Sequence, residues 1–118
     1  MDIFRPFRRK KFLENLVILF KKECKLQSEN KGFTSFKNLI ISFLTKNLEQ
    51  YEKDVFGKTI VPIYWRKRFV EQAVDEQILQ NDAFAESKIN SFVFQLADHY
   101  DLVIEMWLDI ENKLKGDD

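Results

Sequence analysis

Apolar residues recur along this chain at steps of three and four, the period of a helix that buries one face. Phe12, Leu16, Phe20 and Cys24 step by four, with Leu13 and Val17 beside them, while Glu14, Lys21 and Lys25 fall on the opposite face. The pattern predicts a first helix over about residues 7–26. Pro6 suits its start, where a missing N–H costs nothing. The polar stretch 27–32 predicts a loop. A second stripe, made of Phe36, Leu39, Ile40, Phe43, Leu44, Leu48, Tyr51, Val55 and Phe56, predicts a second helix. Thr34 or Ser35 is its expected N-cap, because a side-chain oxygen there accepts an orphan N–H. Gly57 is placed to end it in the left-handed conformation, and Lys53 suits its last turn.

Residues 58–61 read as a connector, with Pro62 as the first residue of a third helix that carries Trp65, Phe69, Val70, Ala73, Val74 and Ile78. A strand over 59–65 competes, since the segment is rich in β-branched and aromatic residues. Pro62 and the lack of a partner strand weigh against it. Asn81 and Asp82 are capping residues suited to close one helix and open the next. Beyond them Ala85, Ile89, Phe92, Leu96, Tyr100, Val103, Trp107, Ile110 and Leu114 form a near-heptad seam. With no glycine or proline before Lys115, one long helix over about 83–115 is preferred to a pair kinked at His99, Tyr100 and Asp101. Gly116, Asp117 and Asp118 end it. Four amphipathic segments joined by short loops predict an all-α fold: one domain over 1–118, a four-helix bundle, or five with the kink. Phe20, Phe43, Phe69, Phe92 and Leu96 are its expected core.

Composition narrows the picture. The 118 residues include twelve phenylalanines, so the core should be aromatic, but only three glycines and two prolines, too few for a turn-rich β fold. One cysteine excludes an intrachain disulfide, and one histidine excludes most multi-histidine zinc sites. The basic start resembles the head of a signal peptide. Its apolar run, however, is only Leu16, Val17, Ile18, Leu19 and Phe20 before Lys21 and Lys22, too short for a secretory leader or a membrane span. The expectation is a cytoplasmic protein. Cys24 is either a small core hydrophobe or, beside Lys21, Lys22 and Lys25, a thiol with a depressed pKa.

The net charge of zero hides an asymmetry. Residues 1–68 hold sixteen Lys/Arg and seven Asp/Glu, net +9; residues 69–118 hold three and twelve, net −9. Such a split suggests a partner or a self-complementary contact. In the acidic half Asp98, Asp101, Glu105 and Asp109 step by three, four and four along one helical face, with no lysine or arginine between Lys88 and Lys113 to relieve them. Like charges at i, i+4 cost about 0.2–0.5 kcal/mol a pair. The row is either a solvated face, an internal pairing with the basic half, or a site for a basic protein partner, with Trp107 or Tyr100 as an aromatic anchor if exposed. The basic half has two clusters interleaved with aromatics: Arg5, Arg8, Arg9, Lys10 and Lys11, then Arg66, Lys67 and Arg68. These could grip phosphates and stacked bases. On a helix, though, the last three point in different directions.

No nucleotide-binding, zinc-protease or hydrolase motif occurs. His99 falls at the edge of the apolar seam and is expected half-buried, bonded to Gln95 or a backbone carbonyl. No catalytic residue, metal site or cofactor is expected. The leading functional reading is a small non-enzymatic binding module, an inhibitor, immunity protein or regulator, that offers the acidic face of its last helix to a basic protein. Two alternatives stand beside it. One is a nucleic-acid-binding module using the basic half. The other is a homo-oligomeric structural protein joining basic half to acidic half.

Overall fold

A computed structural model describes residues 2–29 and 32–116, with the backbone alone for Phe33 and Thr34. Four helices follow one another: α1 Arg5–Ser28, α2 Phe33–Tyr51, α3 Ile63–Ile78 and α4 Glu86–Gly116. Among the described residues there is no strand, and 59–65 splits into a short connector and the start of α3. α4 passes His99 unbroken, so the bundle has four helices and no kink-made fifth. Residues 30, 31, 117 and 118, expected in the first loop and past the last helix, lie outside the described residues.

The helix ends depart from the expectation in instructive ways. α1 begins at Arg5 with Pro6 inside its first turn. Gly32, not Thr34 or Ser35, is the N-cap of α2, in extended conformation and without a side-chain bond; Ser35 falls within the first turn. Pro62 is the cap of α3 and not its first residue, because its ψ of 145° is extended. Neither Asn81 nor Asp82 caps a helix. The connection over 79–85 is a longer turn in which Asp82 takes a positive φ of 53° and its carbonyl accepts the Ala85 N–H. The amide of Gln77 donates to the Ala83 carbonyl and pins the turn to α3.

The end of α2 carries the one irregularity that matters later. Glu52–Phe56 widen into a single π-helical turn before Gly57, at φ +85°, stops the helix as expected. Such turns are rare and arise where a helix must accommodate a local demand that α geometry does not meet.

α1 packs against α2 and α4, and α2 packs against α3. The core runs through Leu13, Leu16, Val17 and Phe20 of α1, Ile40, Leu44 and Leu48 of α2, Val70 and Val74 of α3, and Ile89, Phe92, Val93, Leu96 and Ile104 of α4. At one end the phenylalanines cluster. Phe20 lies 5.8 Å from Phe43, 5.9 Å from Phe84 and 5.7 Å from Phe92, centroid to centroid. Each such pair adds about 0.5–1.5 kcal/mol beyond its buried area. Phe20, Phe92 and Leu96 are buried as expected, whereas Phe43 and Phe69 are only half-buried. Phe43 covers Phe20 from the rim, and Phe69 rests on the Tyr100 ring at 5.1 Å beside an open seam. That seam exists because the backbones of α3 and α4 stay apart. The two helices meet through long side chains, not ridge against groove.

Candidate binding surface

At the end of the bundle opposite the phenylalanine cluster, two adjacent residues of α2 and its π turn face two adjacent residues of α4. Tyr51 donates to Asp101 Oδ1 at 2.6 Å, and Tyr100 donates in the reverse direction to Glu52 Oε2. Each phenol–carboxylate pair has its own arginine. Arg9 of α1 donates from Nε to Tyr51 Oη and to Asp101 Oδ2, both at 2.9 Å, and from Nη2 to Asp98 Oδ1 at 2.8 Å. Arg66 of α3 donates from Nε to Glu52 Oε2 at 2.9 Å and to Tyr100 Oη at 3.1 Å, and from Nη2 to the Val61 carbonyl at 2.9 Å. The second oxygen of Glu52 accepts the backbone N–H groups of Ile60 and Val61. All four helices are tied at this crossing.

The inner half of the crossing is fully buried: Glu52 is 0% and Arg66 2% exposed. A charge in such a place is tolerable only with a partner and saturated hydrogen bonding. Both conditions are met, and no buried side-chain nitrogen or oxygen among the described residues lacks a partner. Burial pushes both phenols well above the usual tyrosine range, and the facing carboxylates push in the same direction. Burial opposes the charge on Arg66, but its bonds to Glu52 and Tyr100 outweigh that and raise its pKa. The π turn fits this demand, since it holds Glu52 and Val55 inside while Glu52 reaches the connector N–H groups. Sequence reasoning missed the crossing, although a signal existed. Glu52 stands four residues after Leu48 and Arg66 four before Val70, both at core positions of their stripes.

The four carboxylates expected to act together are thereby divided. Asp98 and Asp101 hold Arg9, an internal pairing of the acidic and basic halves. Glu105 and Asp109, further along α4, are exposed and make no ion pair among the described residues. One turn on, Lys58 reaches Glu111 at 3.2 Å; Lys115 and Lys58 hold that carboxyl below its usual range. Tyr100 is fully buried and is not an exposed anchor, because its hydroxyl is spent on Glu52. Trp107 is half-buried on the open side.

The basic clusters are likewise taken apart. Arg5 sits over the Phe56 ring at 4.6 Å. Arg8 pairs with Asp2 and donates to the carbonyls of Asp54 and Val55. Arg9 and Arg66 belong to the crossing. Lys10 approaches Glu14 at 4.0 Å. Lys11, Lys67 and Arg68 remain exposed on two different helices. The eight residues expected to form a phosphate-binding face are therefore not all free on one surface.

A trough of about 940 Å³ opens between α3 and α4. Trp65, Phe69 and Leu79 line it from the α3 side and Val103, Met106 and Trp107 from α4. Several of these are well exposed: Trp65 and Met106 each 51%, Leu79 87%. Arg68, Glu71, Asp75 and Glu76 stand along its α3 wall, Asp75 also bonded to Lys37 of α2 at 2.5 Å. At 100° per residue, Asp109 falls about 60° from Met106, at one edge of the strip, while Glu105 falls on the side of α4 turned away from Val103 and Trp107. The apolar floor thus has its acidic margin on α3.

Two remaining candidates resolve simply. Cys24 is buried in the α1 stripe, and burial pushes its thiol up to about 12, so the neighbouring lysines do not activate it. His99 is exposed and makes no bond to Gln95, unlike the half-buried role expected of it; the α3–α4 divergence leaves it at the mouth of a small cleft. Among the described residues no three His, Cys, Asp or Glu side chains gather as metal ligands do, and no helix is long and apolar enough to cross a membrane. Comparison with known protein families, curated proteins and solved structures finds no match to the chain.

Proposed function

We propose that this chain is a small non-enzymatic protein-binding module, inhibitor- or immunity-like, that receives a basic protein partner on the acidic side of α4. The observation that carries the reading is that Glu105 and Asp109 are exposed with no ion pair among the described residues, and that the exposed Met106 lies next to them on α4. Carboxylates steer a basic partner and accelerate encounter, while a large aromatic in a desolvated seam supplies the affinity. Asp98 and Asp101 are bound by Arg9 and contribute to the field more than to direct contact. The non-enzymatic part of the reading is supported by the polar groups that do converge. Those of the Tyr–carboxylate crossing are satisfied by one another.

The test is affinity capture from the native host with the wild-type chain and with the Glu105→Lys/Asp109→Lys variant, followed by titration of the recovered partner at low and high salt. The expected result is a partner whose affinity falls at least tenfold in the variant and also falls with salt. Equal affinities would remove this face from the mechanism. If only nucleic acid is recovered, and replacing Lys67 and Arg68 abolishes its capture, the basic-half alternative takes its place.

A further inference from the structure

The partner's shape follows from the trough itself, an inference that rests on the binding-module reading above. We infer that the α3–α4 trough takes a single amphipathic helix, apolar on its inner face and basic on its flanks, which docks as a fifth helix of the bundle. Three observations carry this. First, the packing has an open side: α1 touches α2 and α4, α2 touches α3, and the backbones of α3 and α4 stay apart with about 940 Å³ between them. Both walls are helices, so the space is a straight channel and not a pit, the shape that a helix fills. Second, the α4 wall repeats at helical steps. Val103, Met106, Trp107, Ile110 and Leu114 continue the seam that is buried earlier in the same helix, but here the residues are half-exposed or exposed. At 1.5 Å per residue, the α3 wall from Trp65 to Leu79 spans about 21 Å, the length of a helix of roughly 14 residues.

Third, charge selects the occupant. Glu71 and Glu76 on the α3 wall have no ion pair among the described residues, and Arg68 is the cation beside them. A basic-flanked helix would be paired along α3, whereas an acidic one would meet like charge there. A second copy of this chain is the less suitable occupant. Its own basic segment has Arg5 on Phe56, Arg8 on Asp2 and Arg9 on Asp98 and Asp101, and only Lys10 and Lys11 are left to offer.

The chain has two tryptophans, Trp65 and Trp107, and both line the trough, so intrinsic fluorescence reports on it directly. The probe is a 14-residue peptide with leucines at i, i+3, i+4 and i+7 and lysines elsewhere. Its control has the same residues with two central positions changed to proline, so that it cannot form a helix. Expected are a saturable blue shift with the helical peptide, a gain in its helicity, and at least tenfold weaker binding of the proline control. Met106→Glu and Leu79→Glu, one on each wall and both at exposed positions that do not affect folding, should each weaken binding at least tenfold. Equal binding of the two peptides, or indifference to both substitutions, overturns the inference. So does sedimentation of the free chain as a dimer that Met106→Glu dissociates, which would make the occupant a second copy. If the peptide fails while Glu105→Lys/Asp109→Lys still loses the captured partner, the binding module stands and the helical occupant falls. If neither responds, both fall.

Discussion

The two halves of α4 share one sequence pattern and have opposite fates. In the first half Ile89, Phe92, Leu96 and Tyr100 are all buried, and the neighbouring acids Asp98 and Asp101 are held by Arg9. In the second half the same spacing continues through Val103, Met106, Ile110 and Leu114, yet Ile110 is 40% and Leu114 77% exposed, and Glu105 and Asp109 have no ion pair among the described residues. Nothing within the helix distinguishes them. The difference lies across from it: the first half faces α1 and the Glu52–Arg66 crossing, while the second runs on past Tyr100, which already meets Phe69 and Arg66 in the first turns of α3. A periodic stripe says which face of a helix wants a neighbour, not whether the fold supplies one.

The sharpest way to break this comparison is at the crossing that anchors the first half. Arg66→Met leaves Glu52 buried and unpaired and should cost about 3–5 kcal/mol in denaturant unfolding. Adding Glu52→Gln should recover part of that, because the amide oxygen still accepts the Ile60 and Val61 N–H groups. A single change costing under 1 kcal/mol would mean the crossing does not anchor α4. The same site predicts a pH response. Tyr51 and Tyr100 have folded-state pKa values raised above the usual 10.0, so the unfolded chain loses their protons first as pH rises. Their contribution is therefore complete below about pH 10 and declines above it. Tyrosinate absorbance from these two residues should rise together with loss of helical signal, not before it.

Within the seam, Phe92→Ala should cost about 3–5 kcal/mol, whereas Leu114→Ala, at a matching position of the pattern, should stay within about 0.5 kcal/mol. Similar losses at both would show that the second half is packed after all. Arg9→Met removes charge-assisted bonds to Asp98 and Asp101 and should cost roughly 1.5–3 kcal/mol. It should also turn the divided acidic row into a continuous one, with tighter binding of a basic partner as the second readout. The smallest effect is at Glu105. Replacing it by lysine converts two like-charge i, i+4 neighbours, Asp101 and Asp109, into attractive ones and should stabilise the fold by about 0.2–0.5 kcal/mol a pair. Destabilisation there would show that Glu105 has a structural partner.

Much of the architecture was legible from residue order alone. Steps of three and four placed all four helices, the absence of breakers kept α4 whole past His99, and Gly57 marked a left-handed stop. Helical periodicity and glycine stereochemistry act within a few residues, so they can be read along the chain. The candidate surface was legible only in part. Glu105 and Asp109 stood in the acidic row and are exposed with no ion pair among the described residues, but the row also contained Asp98 and Asp101, which are bound at home, and the aromatic pair contained Tyr100, which is buried. Which carboxylate meets Arg9, which phenol meets Glu52, and where Arg66 disappears from the surface depend on pairs 14 to 92 residues apart. No local pattern encodes those separations. The residue types and their faces were determined by the sequence; the pairing of charges, and with it the surface left open to a partner, was decided by how four helices cross, because a charge finds its partner through space and not along the chain.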